Sequence, residues 1–251
     1  MKITREIMGR LLALWALVWF VLTMLLFFIP FFIFRFFPEP KRTRLFISFS
    51  RVWMKLYMPA IGCPIAVEGE EHFKKGENYI VLCNHNSFID VPVSSTGIPG
   101  GNKTIAKIEF ARIPIFGIIY RLGSVLVDRK SEASRRESIH QMKKVLQLGL
   151  HMCIYPEGTR NKTDQPLKPF HNGAFKLALD TGKPVIPSLI FHTKKVLPPD
   201  KPFFLQPHKL EIHFLEPVYI QPSDTIEELK RRIFEVMEQY YIQLLSSIER
   251  A

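Results

Sequence analysis

The 251 residues suffice for one large domain or a domain with an appendage, and a hydrophobic fraction of 47% excludes a disordered chain while allowing a packed core. A formal net charge of +11 would suit nucleic acid, an anionic membrane or acidic small molecules and proteins. Its distribution decides: residues 1–60 hold nine Lys and Arg against Glu6 and Glu39, beside the most apolar part of the chain, and no nucleic-acid-binding signature is present, so a membrane surface is favoured over nucleic acid.

The N-terminal part comes first. Residues 11–34 form a run of 24 without a charge, about 36 Å at helical rise and long enough to cross a bilayer core. A cleaved signal peptide is disfavoured, because the run is too long, continues into Phe-rich sequence and lacks a small-residue cleavage site. Basic residues flank both ends, so the positive-inside rule assigns no orientation; Pro30 suits a kink or a re-entrant dip. Residues 42–59 place Phe49, Val52, Trp53 and Leu56 on one helical face and Arg44, Ser48, Arg51 and Lys55 on the other, the pattern of a helix lying in the membrane interface. Residues 1–60 are therefore expected to form a helical hairpin that holds the protein on one leaflet, with residues 61–251 as a second domain.

The remaining chain alternates short apolar runs with helical stretches. Strands are expected at 79–83, 104–106, 124–127, 152–155, 185–190 and 210–214. The clearest helix covers 134–148, with a capping box in Ser134 and Glu137 and Gly149 as its stop; the last runs from 224 to 248. Residues 161–169 read as a surface loop. The alternation implies an α/β fold, a mainly parallel sheet flanked by helices. Cys63, Cys83 and Cys153 are an odd number without zinc spacing, which fits a reducing compartment and no disulfide framework.

In such a sheet ligands bind beyond the carboxyl ends of the strands. After the first of these strands comes Asn84-His85-Asn86-Ser87-Phe88-Ile89-Asp90; after the next three come Lys107, then Asp128-Arg129, then Pro156-Glu157-Gly158-Thr159-Arg160. Parallel strands would bring all of these to one edge. With Ser87 capping a helix, Asp90 in the first turn can reach back to His85, fix its tautomer and leave the other ring nitrogen as a base for an alcohol. No Gly-x-Ser-x-Gly elbow is present, so an acyl-serine is not supported. Cys83 is an alternative nucleophile, although an apolar run more often holds cysteine as a small buried hydrophobe. Arg160, in a turn with Glu157, Gly158 and Thr159, suits paired hydrogen bonds to a phosphate, the alternative being a salt-bridged turn. Neither a P-loop nor clustered metal ligands occur in the sequence, and no metal is expected.

At these residues the sequence resembles the glycerolipid acyltransferase family, and within it the bacterial 1-acylglycerol-3-phosphate acyltransferases. Four motifs occur in order over nearly the whole chain. They are His85 to Asp90 after Asn84; Lys107, Glu109, Pro114 and Gly117 with residues 123–129; Pro156 to Arg160; and Val185-Ile186-Pro187. The resemblance implies transfer of a fatty acyl group from acyl-CoA or acyl carrier protein to the sn-2 hydroxyl of 1-acylglycerol-3-phosphate, with no cofactor beyond that thioester. It implies His85 as base, Asp90 as its partner, Arg160 and Lys107 near the acceptor phosphate, Arg129 supporting phosphate or donor, and Glu157, Gly158 and Thr159 in the substrate-binding turn. It makes residues 61–251 the catalytic domain, on the cytoplasmic face of the inner (cell) membrane. Its partners would be a membrane lipid acceptor, the thioester donor and an anionic membrane surface. One departure concerns the acceptor: residues 170–175 read Phe-His-Asn-Gly-Ala-Phe, where relatives often carry two lysines. Rival readings are another acceptor (glycerol-3-phosphate or a lyso-aminolipid), a hydrolase using His85 on water, and an inactive membrane lipid-binding protein.

Overall fold

The computed structural model describes residues 2–249. Seven strands, β1 (Ile65–Glu68), β2 (Ile80–Cys83), β3 (Asn102–Lys107), β4 (Ser124–Val127), β5 (His151–Ile154), β6 (Val185–Phe191) and β7 (Leu210–Phe214), form one sheet. Its order is β1-β7-β6-β2-β5-β3-β4. All pairs are parallel except β6 with β7. Residues of β2, β5 and β6 are buried throughout, as an unbroken apolar run must be when helices cover both faces of a sheet.

Strand parity divides the core. Val81, Cys83, Cys153, Tyr155, Ile186 and Ile190 lie on the face under α1 (Lys2–Phe34), α2 (Lys41–Ala60) and α3 (Asp90–Gly97). Ile80, Leu82, Met152, Ile154 and Leu189 face the other way. That side is covered by α5 (Glu132–Gln147), α6 (Gly173–Thr181) and α8 (Ile226–Glu249). The short helices α4 (Phe116–Leu122) and α7 (Thr193–Val196) complete the fold.

All six expected strands are present. The edge strand β1 was not anticipated: four residues are too few for periodicity to register, and it pairs with β7 alone. The helix expected from 134 begins earlier. Ser131 is its N-cap, its hydroxyl accepting from the Ser134 amide at 3.2 Å, while the Ser134 hydroxyl accepts from the Asp128 amide at 2.9 Å. Both serines were available, and the one nearer the end of β4 caps the helix.

The first two helices form the expected hairpin, packed along the sheet. α1 is long and apolar enough to cross a membrane by length and composition. Its hydrogen-bond partners lie on α2 and, near its N-terminal end, on the segment before β7. The Trp53 indole donates to the Thr23 hydroxyl at 2.9 Å, the Trp15 indole to the Ala60 carbonyl at 3.1 Å, and the Leu205 amide to the Gly9 carbonyl at 3.0 Å. Gly9 is required there, because the Phe204 ring occupies the place of a Cβ. The outer face of α1 leaves Leu11, Leu14, Val18, Leu22, Leu25 and Ile29 exposed, an apolar stripe that demands a cover.

On α2 the expected apolar face divides. Phe49, Val52 and Leu56 are exposed, whereas Trp53 is buried among Phe20, Phe27 and Phe31. Of the three cations assigned to its polar face, Arg44 and Lys55 are exposed. Arg51 instead turns inward to the carbonyls of Thr96, Ile98 and Gly100 at 3.1, 2.5 and 2.6 Å. The end of α3 needs donors for its last carbonyls, and a guanidinium supplies several from one side chain.

Glu39, in the turn between α1 and α2, pins the hairpin to β3. It accepts from Thr43 and Arg42, and Lys103 of β3 sits 3.0 Å away. Burial would raise its carboxyl, but the Thr43 hydrogen bond with Lys103 and Arg42 outweighs burial and lowers it from 4.5 to about 2. A depressed carboxyl stabilises the fold above its unfolded pKa and loses that contribution as pH falls. Glu39→Gln should therefore cost about 3 kcal/mol of unfolding free energy at pH 7. Denaturant unfolding in detergent should show that gap narrowing as pH drops below 4.5 towards about 2.

Candidate active site

The parallel strands β2, β5, β3 and β4 end at one edge, as the sequence implied, and the loops leaving them bring His85, Glu157, Lys107 and Arg129 there. Register explains the closest pair. Leu82 lies opposite Ile154, so Cys83 and Tyr155 follow on the same face, and the His85 ring stacks on the Tyr155 ring at 4.3 Å. Just before it, Asn84 ties β2 to β6 by exchanging hydrogen bonds with both the amide and the carbonyl of Ile190.

His85 is held on every side but one. Its Nδ1 is 2.9 Å from Asp90 Oδ2, its amide donates to Glu157 at 2.8 Å, and its carbonyl accepts from the Asn161 amide at 2.6 Å. Nε2 has no hydrogen-bond partner among the described residues. A carboxylate on Nδ1 selects the tautomer whose proton lies there and leaves the Nε2 lone pair free.

Asp90 is fully buried at the start of α3. Its Oδ2 also accepts from the amides of Asn86 and Ser87 at 2.6 and 2.7 Å. The expected Ser87 cap is absent; the N-cap position is Ile89, without a side-chain cap. The physical reason is that the helix begins only at Asp90, which leaves Ser87 outside the cap position, and the Asp90 carboxylate folds back onto the amides of the preceding loop.

Glu157 faces inward. One oxygen accepts from the His85 amide, the other from the Lys168 amide at 3.1 Å, so this carboxyl braces two loops. Gly158 sits at φ +68°, and a Cβ there would stand 2.6 Å from the His171 ring. His171 and Asn172, at the positions of the departure noted above, thus serve packing and α8: Asn172 bonds Glu227 and Lys230 at 3.0 and 2.8 Å. Thr159 is exposed and accepts from Lys168 Nζ at 2.6 Å.

The cations differ in what remains free. Arg129 donates to the Gly158 carbonyl and so braces the turn. The Arg160 guanidinium lies 3.8 Å over the Phe88 ring and, like the Lys107 ammonium, has no hydrogen-bond acceptor among the described residues. Lys107 stands at the end of β3, before a turn shaped by Pro114 and Gly117. There Ile115 adopts φ +62°, which costs a β-branched residue of order 1–3 kcal/mol. Gly117 packs on the Ala111 carbonyl, where a Cβ would be 2.4 Å away.

Cys83 is no candidate nucleophile. It is fully buried, its Sγ is 3.9 Å from that of Cys153, and that hydrogen bond together with burial pushes its thiol up. Three site residues escaped the sequence reading: Tyr155, Lys168 and the role of Asn161. Strand parity with Cys83 could have found Tyr155; nothing in a polar loop marks Lys168 or explains that Asn161 closes residues 161–165 through its own side chain.

A model of the Acyltransferase family matches residues 64–190. The chain belongs to that family. A protein named 1-acyl-sn-glycerol-3-phosphate acyltransferase from Cocos nucifera is 30% identical over 204 residues, covering 80% of this chain and 64% of that protein. A chloroplastic relative of the same name from Brassica napus is covered over 50% of its length, so the chain spans about half to two thirds of these plant relatives. The Escherichia coli (strain K12) protein of that name is 25% identical, with 82% of this chain and 84% of that one aligned. The crystal structure of the 1-acyl-sn-glycerophosphate (LPA) acyltransferase PlsC from Thermotoga maritima superimposes with a TM-score of 0.79 at 26% identity, over 96% of this chain and 97% of that one.

Burial pushes the Glu157 carboxyl up to about 7, against the two amide hydrogen bonds that lower it. The folded state then holds this proton more tightly than the unfolded chain, so the contribution is fully present below pH 4.5 and is lost as pH rises through about 7. Glu157→Gln removes the titration. Its unfolding free energy relative to wild type should rise by up to about 3 kcal/mol across that window, read by denaturant unfolding at several pH values.

Proposed function

We propose that the protein transfers a fatty acyl group from a thioester, acyl-CoA or acyl carrier protein, to the sn-2 hydroxyl of 1-acylglycerol-3-phosphate, giving phosphatidic acid. The observation that carries this reading is the His85–Asp90 pair at 2.9 Å with Nε2 unpartnered, on an edge where the Arg160 guanidinium is free for a phosphate. Nε2 takes the proton of the acceptor hydroxyl as its oxygen attacks the thioester carbonyl. The tetrahedral intermediate collapses, the carbon–sulfur bond breaks, and the imidazolium returns the proton to the leaving thiolate. Asp90 stabilises the transient imidazolium.

His85 lies on the sheet face covered by the hairpin, so the acceptor hydroxyl is best presented from a lipid layer that the hairpin touches. α1, fixed to α2 at Trp15 and Thr23 and to Leu205 at Gly9, is suited to lie in one leaflet with its exposed apolar stripe in the hydrocarbon. The cytoplasmic leaflet is the side where acyl thioesters are available.

Purified protein with lysophosphatidic acid and each donor tests this: ester product should form with no matching release of free fatty acid, which would indicate a hydrolase. His85→Ala should lower turnover about 10²–10⁴-fold, and Asp90→Asn should also be strongly impaired, with wild-type unfolding for His85→Ala. Near-normal transfer by His85→Ala would sink the mechanism.

A further inference from the structure

A ladder of rings connects the apolar hairpin with the phosphate-binding end of the site. Phe20 of α1 meets Phe116 at 6.4 Å between centroids, Phe116 meets Tyr120 at 5.5 Å, Tyr120 meets Phe110 at 5.9 Å, and Phe110 meets Phe88 at 6.2 Å. Arg160 closes the series over Phe88. None of the five rings is enclosed in the core: Phe88 is 58% exposed and the other four are partly exposed. The ladder is held by backbone that tolerates little change, since Ile115 at φ +62° and Gly117 on the Ala111 carbonyl set where Phe116 and Tyr120 project.

We propose that this strip carries the single acyl chain of the lysolipid acceptor from the leaflet to the site. The inference rests on the acceptor class proposed above and adds the route and the residues that form it. An amphiphile with one tail and an anionic head matches the strip end for end. The tail enters where Phe20, half-buried between α1 and α2, meets Phe116, and runs along the rings; the head arrives at a guanidinium with no other acceptor among the described residues.

The strip answers a definite cost. Each methylene drawn from hydrocarbon into water weakens an equilibrium by about fourfold, so a long-chain acceptor cannot reach His85 through water. Aromatic faces along the route keep the tail in apolar contact while the headgroup moves to Arg160. A short-chain acceptor, soluble on its own, has no such need, and the chain-length dependence of the acceptor therefore reports on the strip.

Phe110→Ala removes the ring between Phe88 and Tyr120 while leaving the hydrogen bonds of His85 in place. The kcat/KM for octadecanoyl lysophosphatidic acid in phosphatidylcholine vesicles should fall by about tenfold or more, and for monomeric hexanoyl lysophosphatidic acid by no more than about twofold. Phe110→Leu should recover most of the loss, and the donor chain-length profile should not move. Equal loss on both acceptors, or a shift confined to the donor profile, overturns the proposal. A second arm is independent of turnover: lysophosphatidic acid bearing a diazirine in mid-chain is photolysed with the full protein in vesicles. Labelling within residues 108–122, on Phe20 or on Phe88 supports the strip, and labelling elsewhere overturns it. Absence of transfer by the wild type would instead reject the acceptor class, with the labelling still deciding the route.

Discussion

Two carboxyl groups buried at one sheet edge constrain everything around them. A buried carboxylate without donors is too costly to keep, and neither Asp90 nor Glu157 has an Arg or Lys ion-pair partner among the described residues. Both are held chiefly by backbone amides, those of Asn86 and Ser87 on Asp90 Oδ2 and those of His85 and Lys168 on Glu157, while Asp90 Oδ1 is buried with no hydrogen-bond partner among the described residues. Those amides belong to the loops that carry His85 and the turn ending in Arg160. The requirement to satisfy two buried carboxyl groups thus becomes the device that positions the His85 imidazole and the turn carrying Arg160 together. Tyr155 beneath the His85 ring and Asn161 on its carbonyl complete a frame in which the imidazole has one free direction.

The hairpin obeys a different constraint. Its inner face shares the core with Cys63, Val81, Ile89 and Val93, so it helps cover the sheet, while its outer face is too apolar for water. One helix pair therefore has two buried faces, one against protein and one that needs hydrocarbon. Glu39 fixes the angle between these roles by tying the turn of the hairpin to β3, whose far end carries Lys107.

Sequence pattern made the framework legible because a covered parallel sheet needs unbroken apolar strands, and such strands stand out between helical periods. It also placed His85, Asp90 and Arg160 at one edge, since topology alone forces carboxyl ends together. What it missed was set by tertiary geometry. Nothing in residues 42–59 shows that Arg51 is drawn in by the carbonyls that end α3, nor that Trp53 is claimed by α1. The choice between Ser131 and Ser134 as cap depends on where β4 releases the chain. The inward turn of Glu157 depends on β2 and β5 being neighbours, and a sequence gives strand order only indirectly.

Strand parity links these two constraints. Because Cys83 and Tyr155 point to the hairpin side, the stacked His85 does so as well, and the base opens on the face that the apolar helices cover. Had β2 ended one residue earlier or later, the same His–Asp spacing would have turned the imidazole towards α5 and α8, away from any lipid. The opposite core, packed by Met142, Leu146, Phe175, Ile233 and Met237, is then free to serve stability alone. The reaction proposed here joins an acceptor dissolved in a membrane to a donor dissolved in water, and it requires a base located between them. An open sheet whose catalytic edge lies on the face covered by an apolar hairpin suits that proposed requirement, because the hairpin's inner side completes the core on that face while its outer side remains apolar.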